Sequence, residues 1–409
     1  MATRPEKVCR WKRGVRPDRY AEAALADLLG VPIEQVRAMG WPHWLRLALT
    51  DDQVLVTTPW TPAGALTALD HLGRPADMDR RAALFSGGVM AATLASWAAA
   101  SPARAVLASD RTRVTTRSAD LIDGRLAALR LLDDEIGSGQ TYALASTERA
   151  MITEVLRTRS YNEDTGRRLF SAAAEASRIC GWAAFDSGAI AEAERHYLGA
   201  ARAAATADDP VVQANVLSFW AMARYSGGDT SGALAAVEHA LTGARRTGSP
   251  RMIAMLHARA ARAHAKAGDM PASLRSEGEA FEAYEHAGSP EEDPPCVYWV
   301  SRAELHSWAA SNASDLGNPR RALTHYAAIA SAEPDDAYPR SRALRLTRTA
   351  DAQLALREVD AAVHSANQAV QTMGGVTSAR STTILTGLRV KLAAHQQVPA
   401  VRNFLERSS

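Results

Sequence analysis

Residues 181–200, GWAAFDSGAIAEAERHYLGA, hold the pattern that decides the fold. A small residue opens the stretch, Gly188 interrupts it, and Ala193, Tyr197 and Ala200 follow as small, bulky and small positions. Spacings of four and three place these three side chains on one face of a helix. Small residues let two antiparallel helices approach closely, while the bulky one fills the hole between its neighbours. The stretch therefore predicts a helical hairpin with its turn at Gly188.

The hairpin pattern recurs along the chain. A turn glycine and a later proline each return at a step of forty residues, at Gly188, Gly228 and Gly268 and at Pro210, Pro250 and Pro290. The small and bulky positions recur with them, as Gly181, Ala193, Tyr197, Ala200; Ala221, Ala233, Val237, Ala240; Ala261, Ser273, Glu277, Ala280; Ala310, Ala322, Tyr326, Ile329; and Ala350, Ala362, Ala366, Ala369. A fixed period of this length is typical of a solenoid. The five units resemble tetratricopeptide (TPR) repeats, which predicts an all-α, TPR-like helical-hairpin array.

Three features depart from the repeat. The third unit has Glu277 at the bulky position, and the fifth has Arg357 to Asp360 (REVD) in place of the turn glycine. Between the third and fourth units the step lengthens around residues 291–295, EEDPP, which predicts an exposed loop. A turn near Gly317 is expected in the fourth unit. The register is kept throughout.

The flanking sequence extends the array in both directions. Leucines and isoleucines at helical spacing in residues 118–136, and a second run through Leu156, predict a helix pair that opens the solenoid. Residues 382–394 and 401–405 predict a terminal helix and tail that cap the last repeat. The predicted organisation is a helix-turn-helix segment over residues 1–50, a connecting region over 51–116 and the repeat array over 117–409.

The N-terminal segment is strongly basic. Thr3 and Glu6 have the spacing of a capping box, so a helix should begin there and end before Gly14, with further helices from about Asp18 to Leu29 and from Val31. The basic residues are Arg4, Lys7, Arg10, Lys12, Arg13, Arg16 and Arg19. Clustered basic charge of this kind is typical of segments that bind phosphate backbones.

Several runs in this region and beyond it carry a family resemblance. They are VCRWKRG at 8–14, Pro17, ADLLGVP at 26–32, LRLLDD at 129–134, GWAAFDSG at 181–188 and LHARAARAH at 256–264. With the repeats, they resemble the actinobacterial XRE-type helix-turn-helix and TPR transcriptional regulators. The resemblance implies DNA binding, with Arg4, Lys7 and Arg10 as groove contacts, Lys12 and Arg13 as phosphate contacts and Trp11 as a core residue. The sequence begins at or just before the family's recognition helix, so its first two helices have no counterpart.

Composition excludes several classes of protein. Lys plus Arg is 47 against 45 for Asp plus Glu, so the chain has no global charge excess, and 47 % of its residues are apolar. Three scattered cysteines, without a C-x-x-C pair, favour the reduced cytoplasm over a disulfide framework or zinc site. Arg80, Arg81 and the uncharged stretch 82–100 imitate an export signal, but the stretch is weakly apolar and is predicted to be a buried Ala-rich helix. No membrane span is expected.

No catalytic motif is present. His257 and His264 lie seven residues apart without a metal-binding pattern, and the glycine pairs at 87–88 and 374–375 lack the context of a phosphate loop. Nucleophile motifs are absent as well. The protein is therefore predicted not to be an enzyme, with no cofactor and no metal.

A TPR-like array offers a concave groove lined mainly by the first helix of each repeat. The repeat register assigns to this groove Arg178, Trp182, Asn215, Phe219, Met222, Arg259, Arg262, Trp308, Ser311, Arg348 and Asp351. Arginines among aromatic residues suit an acidic or amphipathic peptide. In the alternative interpretation, Trp182, Phe219 and Trp308 are core between repeats and the arginines are solvated.

Two functional hypotheses follow. In the first, the protein is a transcriptional regulator whose array binds a peptide, a small-molecule effector or a protein partner in the groove, and the family resemblance implies a homodimer. In the second, it is a scaffold or adaptor for protein–protein interaction that does not bind DNA.

Overall fold

The computed structural model describes residues 15–28, 31–41, 44, 53–73, 113–330, 339–373 and 379–407. The regular structure in these ranges is helical, apart from an isolated bridge between Arg113 and Ser160. The α-helices are α1 (Arg19–Leu28), α2 (Ile33–Met39), α3 (Gln53–Thr57), α4 (Pro62–His71), α5 (Thr116–Ile136), α6 (Ser138–Thr158), α7 (Glu163–Asp186), α8 (Ile190–Ala207), α9 (Pro210–Ser226), α10 (Thr230–Ala244), α11 (Pro250–Ala267), α12 (Met270–Glu285), α13 (Arg302–Asp315), α14 (Pro319–Ala330), α15 (Pro339–Ala355), α16 (Val359–Met373), α17 (Ala379–Ala393) and α18 (Pro399–Arg407). The prediction of an all-α chain of sequential helical hairpins is confirmed for this part.

The helices fall into two compact units. The described residues of the first unit lie within Met1–Leu126, Ala145–Gly181 and Ile190–Gly243. Those of the second unit lie within Ala127–Leu144, Trp182–Ala189 and Ala244–Ser409.

The predicted turns are present. Gly188, Gly228, Gly268 and Gly317 have φ values of 85°, 86°, 78° and 74°. This left-handed conformation closes a helix at no steric cost only in glycine. Arg357 adopts the same conformation with φ 64°, so the fifth hairpin turns without a glycine.

The helix starts agree with the sequence signals as well. Asp209 accepts hydrogen bonds from the backbone N–H groups of Val211 and Val212, and Pro210 occupies the first turn of α9. Ser249 caps α11 in the same way, ahead of Pro250. Proline is tolerated here because the first N–H groups of a helix have no partner within it.

The small and bulky positions pack as the register predicts. In the first unit, a Cβ on Gly181 would lie 2.7 Å from the Tyr197 ring, so only glycine fits opposite that tyrosine. In the second unit, Ala310, Ala322 and Tyr326 share one buried cluster. A second cluster joins α15 and α16 to Leu388, Leu392, Val401 and Phe404. The terminal helices therefore cover the last repeat, as predicted.

The segment between the third and fourth repeats differs from the prediction of an exposed loop. Glu291 and Glu292 are exposed, but the Asp293 side chain is 5 % exposed and pairs with Arg251 at 2.6 Å. Cys296 and Val300 are buried behind it. Pro290 starts a short 3-10 turn instead of a helix. The segment is exposed at one end and packed at the other because Arg251 also donates to the carbonyl oxygens of the loop.

Helices α3 and α4 belong to the first unit and pack on α8. Arg202 of α8 is 1 % exposed and donates to the carbonyl oxygens of Leu55, Val56, Thr58 and Pro59, where α3 ends. Arg149 donates to the Leu69 carbonyl oxygen near the end of α4 at 2.7 Å. These carbonyls have no partner within their own helices, so each arginine supplies a C-terminal cap.

Two sequence predictions fall on residues outside the described ranges. One is the Ala-rich stretch 82–100, and the other is the first helix, before Gly14. Helices α1 and α2 are present as expected, around a small core of Ala26, Val31, Val36 and Trp44. No helix in the described part of the chain is both long and apolar enough to cross a membrane.

Candidate functional site

The predicted groove residues of the second unit include an arginine held between two tryptophans. The guanidinium of Arg259, on α11, lies 4.9 Å from the ring centroid of Trp308 and 5.8 Å from that of Trp299. The two indole rings meet edge to face at 5.8 Å. Arg259 and Trp308 are 4 % and 7 % exposed. Cation–π contact with both rings therefore fixes the Arg259 side chain inside the helical packing.

Arg262 lies one helical turn further along α11 and is neutralised. It donates to Asn312 Oδ1 at 3.0 Å and to Asp315 Oδ2 at 2.8 Å, both on α13. Lys266 donates to the other oxygen of Asp315 at 2.8 Å. The two cations and the hydrogen bonds they donate hold the pKa of the Asp315 carboxyl below its usual range, against the effect of burial. The carboxylate is consequently charged and joins α11 to the end of α13.

Arg348, on α15, differs from Arg262 in the partner that its guanidinium contacts. It donates to Ser311 Oγ on α13 at 2.8 Å, and it is only partly buried. Among the described residues it has no carboxylate within ion-pair distance. Ser311 is 5 % exposed and donates in turn to the carbonyl oxygen of Ser307. This guanidinium is thus oriented by a hydrogen bond, and no carboxylate of the described ranges neutralises it.

The groove residues assigned in the first unit form a second buried group. Arg178 pairs with Glu175 through two hydrogen bonds of 2.9 Å, and its guanidinium lies 4.5 Å from the centroid of Phe219. Asn215 donates to Glu175 at 3.1 Å. Met222 is 4 % exposed. The carboxylate of Glu175 therefore organises Arg178, Asn215 and Phe219 into one network.

The two remaining assigned residues have separate partners in the second unit. The indole Nε1–H of Trp182 donates to Asp133 Oδ2 at 2.8 Å, and its ring lies 6.0 Å from that of Phe185. Asp351 pairs with Lys391 of α17.

The predicted DNA contacts Arg4, Lys7, Arg10, Lys12 and Arg13 lie outside the described residues.

The exposed fractions of the assigned residues agree with one part of the alternative interpretation and disagree with another. Phe219 and Trp308 are buried, in agreement with a core between helices. The arginines at 178, 259 and 262 are not solvated, since their exposed fractions are 4 %, 4 % and 7 %. Arg348 differs from these three arginines, because no carboxylate among the described residues neutralises its guanidinium.

Sequence reasoning missed the carboxylates and the second tryptophan of these networks. Glu175 had a local signal, because it stands three residues before Arg178 on the same helix. Trp299 and Asp315 had no such signal in the nearby sequence. Trp299 lies in the irregular segment before α13, and Asp315 is 53 residues from its partner Arg262.

A histidine pair lies on the other side of α13. His306 Nδ1 and His325 Nδ1 of α14 are 3.0 Å apart, and His325 Nε2 is 3.7 Å from Glu277 Oε1. Burial, helped by Arg321 and His306, lowers the pKa of His325 to about 4. Burial and Arg302 also lower the pKa of His306. In the described part of the chain no group of three or more His, Cys, Asp or Glu side chains is arranged to hold a metal ion.

No family model matches the chain, and no curated protein matches it. Among solved structures, the crystal structure of BtubC (BKLC) from P. vanneervenii is similar over 57 % of this chain and 89 % of that chain, with 15 % sequence identity and a TM-score of 0.41.

Proposed function

We propose that the repeat array is a non-catalytic recognition surface which binds an acidic peptide segment, of an effector or of a protein partner, through Arg348. The observation that carries the proposal is the state of this guanidinium. Ser311 orients it, it is partly exposed, and no carboxylate of the described chain neutralises it. An arginine in this state presents its remaining N–H donors to a carboxylate in bidentate geometry.

Two other arginines of the second unit support the assignment by contrast. Arg251 pairs with the buried carboxylate of Asp293, and Arg262 pairs with the partly exposed carboxylate of Asp315. Leaving a partly buried charge without a counter-ion costs free energy in the unbound protein, because burial removes part of its hydration. A ligand carboxylate would recover that cost. The observation therefore favours an anionic ligand over a neutral one.

Peptide binding to the purified full chain tests the proposal. Fluorescein-labelled peptides of a Leu-Glu repeat and of the matched Leu-Gln repeat would be compared by fluorescence polarisation. The glutamate peptide should bind more tightly, and Arg348→Gln should weaken it by about 1.5–3 kcal/mol, the value of a hydrogen bond to a charged group. Arg320→Gln removes an exposed arginine of α14 and serves as the charge-matched control. Equal affinity for both peptides would contradict the proposal.

A second proposal concerns transcription, and the clustered basic residues between Arg4 and Arg19 support it. If this segment binds DNA, affinity should fall steeply with salt, and replacing Lys12 and Arg13 should weaken all sequences alike. A double variant, Lys12→Gln with Arg13→Gln, would be measured by DNA fluorescence polarisation at several salt concentrations. Unchanged binding in this variant would show that Lys12 and Arg13 do not contact DNA, and no binding by the wild type would favour the scaffold that acts through protein partners alone.

A further inference from the structure

One face of α5 is apolar and open to solvent, although the opposite face of the same helix is packed. Ala119, Ile122 and Leu126, on the packed face, are 2 %, 7 % and 2 % exposed. Leu121 and Leu131, on the open face, are 65 % and 57 % exposed, which makes them the most exposed leucines in the described part of the chain. Apolar surface that folding leaves unburied along one side of a helix indicates a surface that binds another helix.

The exposed positions of α5 follow a seven-residue repeat. α5 is one continuous helix over Thr116–Ile136, so helical periodicity alone decides which of its side chains share a face. Alternating steps of four and three residues keep side chains within about 80° of arc around the helix axis. This pattern is typical of two helices that pack along their length. We refer to the exposed residues in this register as the α5 stripe, which consists of Arg117, Leu121, Gly124, Ala128, Leu131 and Glu135.

The α5 stripe is complementary to itself in the reverse direction. Counterparts lie at equal distances along the chain from Leu126, and they are Arg117 with Glu135, Leu121 with Leu131, and Gly124 with Ala128. In two antiparallel helices that meet at Leu126, each residue faces its counterpart on the other copy. A two-fold axis makes every such contact occur twice. Opposite charges, two leucines and two small residues therefore meet in successive layers.

The charges at the two ends of the stripe are available to a partner. Within the described part of the chain, neither Arg117 nor Glu135 has a salt bridge or a side-chain hydrogen bond. Asp120 and Arg125, which flank the stripe, are instead both paired within the first unit. The antiparallel arrangement thus brings together two charges that the monomer leaves unpaired.

Gly124 allows a close approach at the centre of the stripe. A Cβ added here would have no atom of the described residues within 4 Å, so the surrounding chain does not require glycine. Glycine also destabilises the interior of a helix relative to alanine. Together with Ala128 it leaves a shallow notch, in which the backbone of a second helix can lie close.

We infer that the α5 stripe is the interface of a homodimer, in which the α5 helices of two copies of this chain pack antiparallel. A second copy is the partner that fits, because charge and size both match when the stripe is reversed. α5 is about 30 Å long, so one helix from each subunit forms a small interface. The dimer should consequently be weak, with a Kd of roughly 10–100 µM. This interface does not involve Arg348 and does not depend on the acidic-peptide proposal.

Sedimentation velocity of the full-length protein tests for the dimer and its apolar contacts. The wild type should pass from monomer to dimer over loading concentrations that bracket the expected Kd. The double variant Leu121→Gln with Leu131→Gln removes both leucine layers and should remain a monomer over this range. Val390→Gln changes an apolar residue of α17 that is 71 % exposed and should dimerise like the wild type.

Charge reversal tests the antiparallel register. In a buffer of low ionic strength, Arg117→Glu and Glu135→Arg should each raise the Kd about tenfold, because two attractive contacts become repulsive. An equimolar mixture of the two variants should recover the wild-type Kd, since opposite charges then meet at both ends. In a parallel pair the wild type already opposes like charges, so neither reversal would weaken the dimer. Reversals without effect would therefore overturn the inference.

A glycine substitution separates association from folding. Glutamine has a higher helix propensity than glycine, so Gly124→Gln should leave the thermal stability of the monomer unchanged or higher. Its side chain fills the notch, and the dimer should be lost. Gly278→Gln makes the same change at an exposed glycine of α12, which also has no described neighbour within 4 Å of an added Cβ. This control should dimerise like the wild type.

The remaining contrary results also overturn the inference. A wild type that stays monomeric throughout the concentration range would remove the interface. A dimer that survives the double leucine variant or Gly124→Gln would place the contact elsewhere. If the leucine variant fails to fold, the charge reversals still decide the question, because they change only exposed side chains. Peptide binding is tested through Arg348→Gln, so the two proposals can fail separately.

Discussion

At the scale of single residues, the histidine pair couples protonation to stability. His325 is neutral in the folded protein down to about pH 4, whereas an unfolded histidine takes up a proton near its ordinary pKa of 6.5. Between these two values the unfolded state binds more protons than the folded state. The free energy of unfolding should therefore fall as the pH falls from about 6.5 to about 4.

This pH dependence is measurable by urea denaturation at several pH values. In His325→Gln the titrating group is gone while a polar side chain remains, so the loss of stability below pH 6.5 should be smaller than in the wild type. Part of it will persist because burial also lowers the pKa of His196 and His239. An identical pH dependence in both proteins would show that His325 is not held neutral.

The ion pair between Arg251 and Asp293 yields a second residue-scale prediction. Both side chains are buried, at 7 % and 5 % exposure, and Arg251 also donates to the carbonyl oxygens of Val300 and Gly288. Asp293→Asn leaves the guanidinium buried without its counter-ion, which should cost about 3–5 kcal/mol of stability. Glu292→Gln, on the exposed neighbour, should change the urea midpoint little. Similar midpoints for the two variants would contradict the assigned role of Asp293.

At the scale of helices and turns, substitutions at the left-handed turn residues of two repeats should change the stability in opposite directions. Gly268 at φ 78° has no side chain, so Gly268→Ala should destabilise the protein by about 1–2 kcal/mol. Arg357 at φ 64° already carries that cost. Arg357→Gly should be stabilising by about 0.5–1 kcal/mol, because the relief of about 1–2 kcal/mol exceeds the entropy cost of glycine, about 0.5–1 kcal/mol.

Thermal or urea unfolding of the two variants gives the comparison directly. Opposite signs of the change in stability are the expected signature. Destabilisation by Arg357→Gly would mean that the arginine side chain contributes more at this turn than its backbone conformation costs.

The hairpins and turns could be predicted because they depend on spacing within about twenty residues. Gly181 opposite Tyr197 and the glycine turns are examples. The surroundings of the groove residues could not be predicted from the sequence, because they depend on segments that are distant along the chain. Trp299 comes from an irregular stretch with no periodicity, and the packed state of Asp293 follows from Arg251, 42 residues away. Glu277 was recognised as an exception, but its pairing with Arg321, 44 residues away, depends on how two helices pack.

At the scale of the chain, Arg202 connects segments that are far apart in sequence. Its guanidinium donates to the Leu55 carbonyl oxygen, 147 residues away, and lies 4.6 Å from the centroid of the Trp60 ring. Burial lowers the pKa of Arg202 to about 10, which still leaves it charged at neutral pH. In Arg202→Met the carbonyl groups at the end of α3 lose their donor, and α3 should lose its attachment to α8.

Hydrogen exchange tests this expectation. Amide exchange in residues 53–73 should accelerate in Arg202→Met. Arg275→Met removes an exposed arginine of α12 and should leave exchange in 53–73 unchanged. Protection of 53–73 that is equal in both variants would show that apolar packing alone holds this hairpin.

The acceptors of Arg202 and Arg149 are neutral carbonyl groups, not carboxylates, and this choice makes the attachment of α3 and α4 insensitive to dissolved ions. Added salt screens exposed charges within about 8–10 Å at physiological concentrations, but it has little effect on hydrogen bonds buried between a cation and peptide dipoles. A nucleic acid held by surface arginines and lysines would be released under the same conditions. A single titration with potassium chloride can therefore distinguish the two kinds of arginine in this protein. Added salt should release a nucleic acid from the surface arginines, whereas Arg202 and Arg149 should keep α3 and α4 in place.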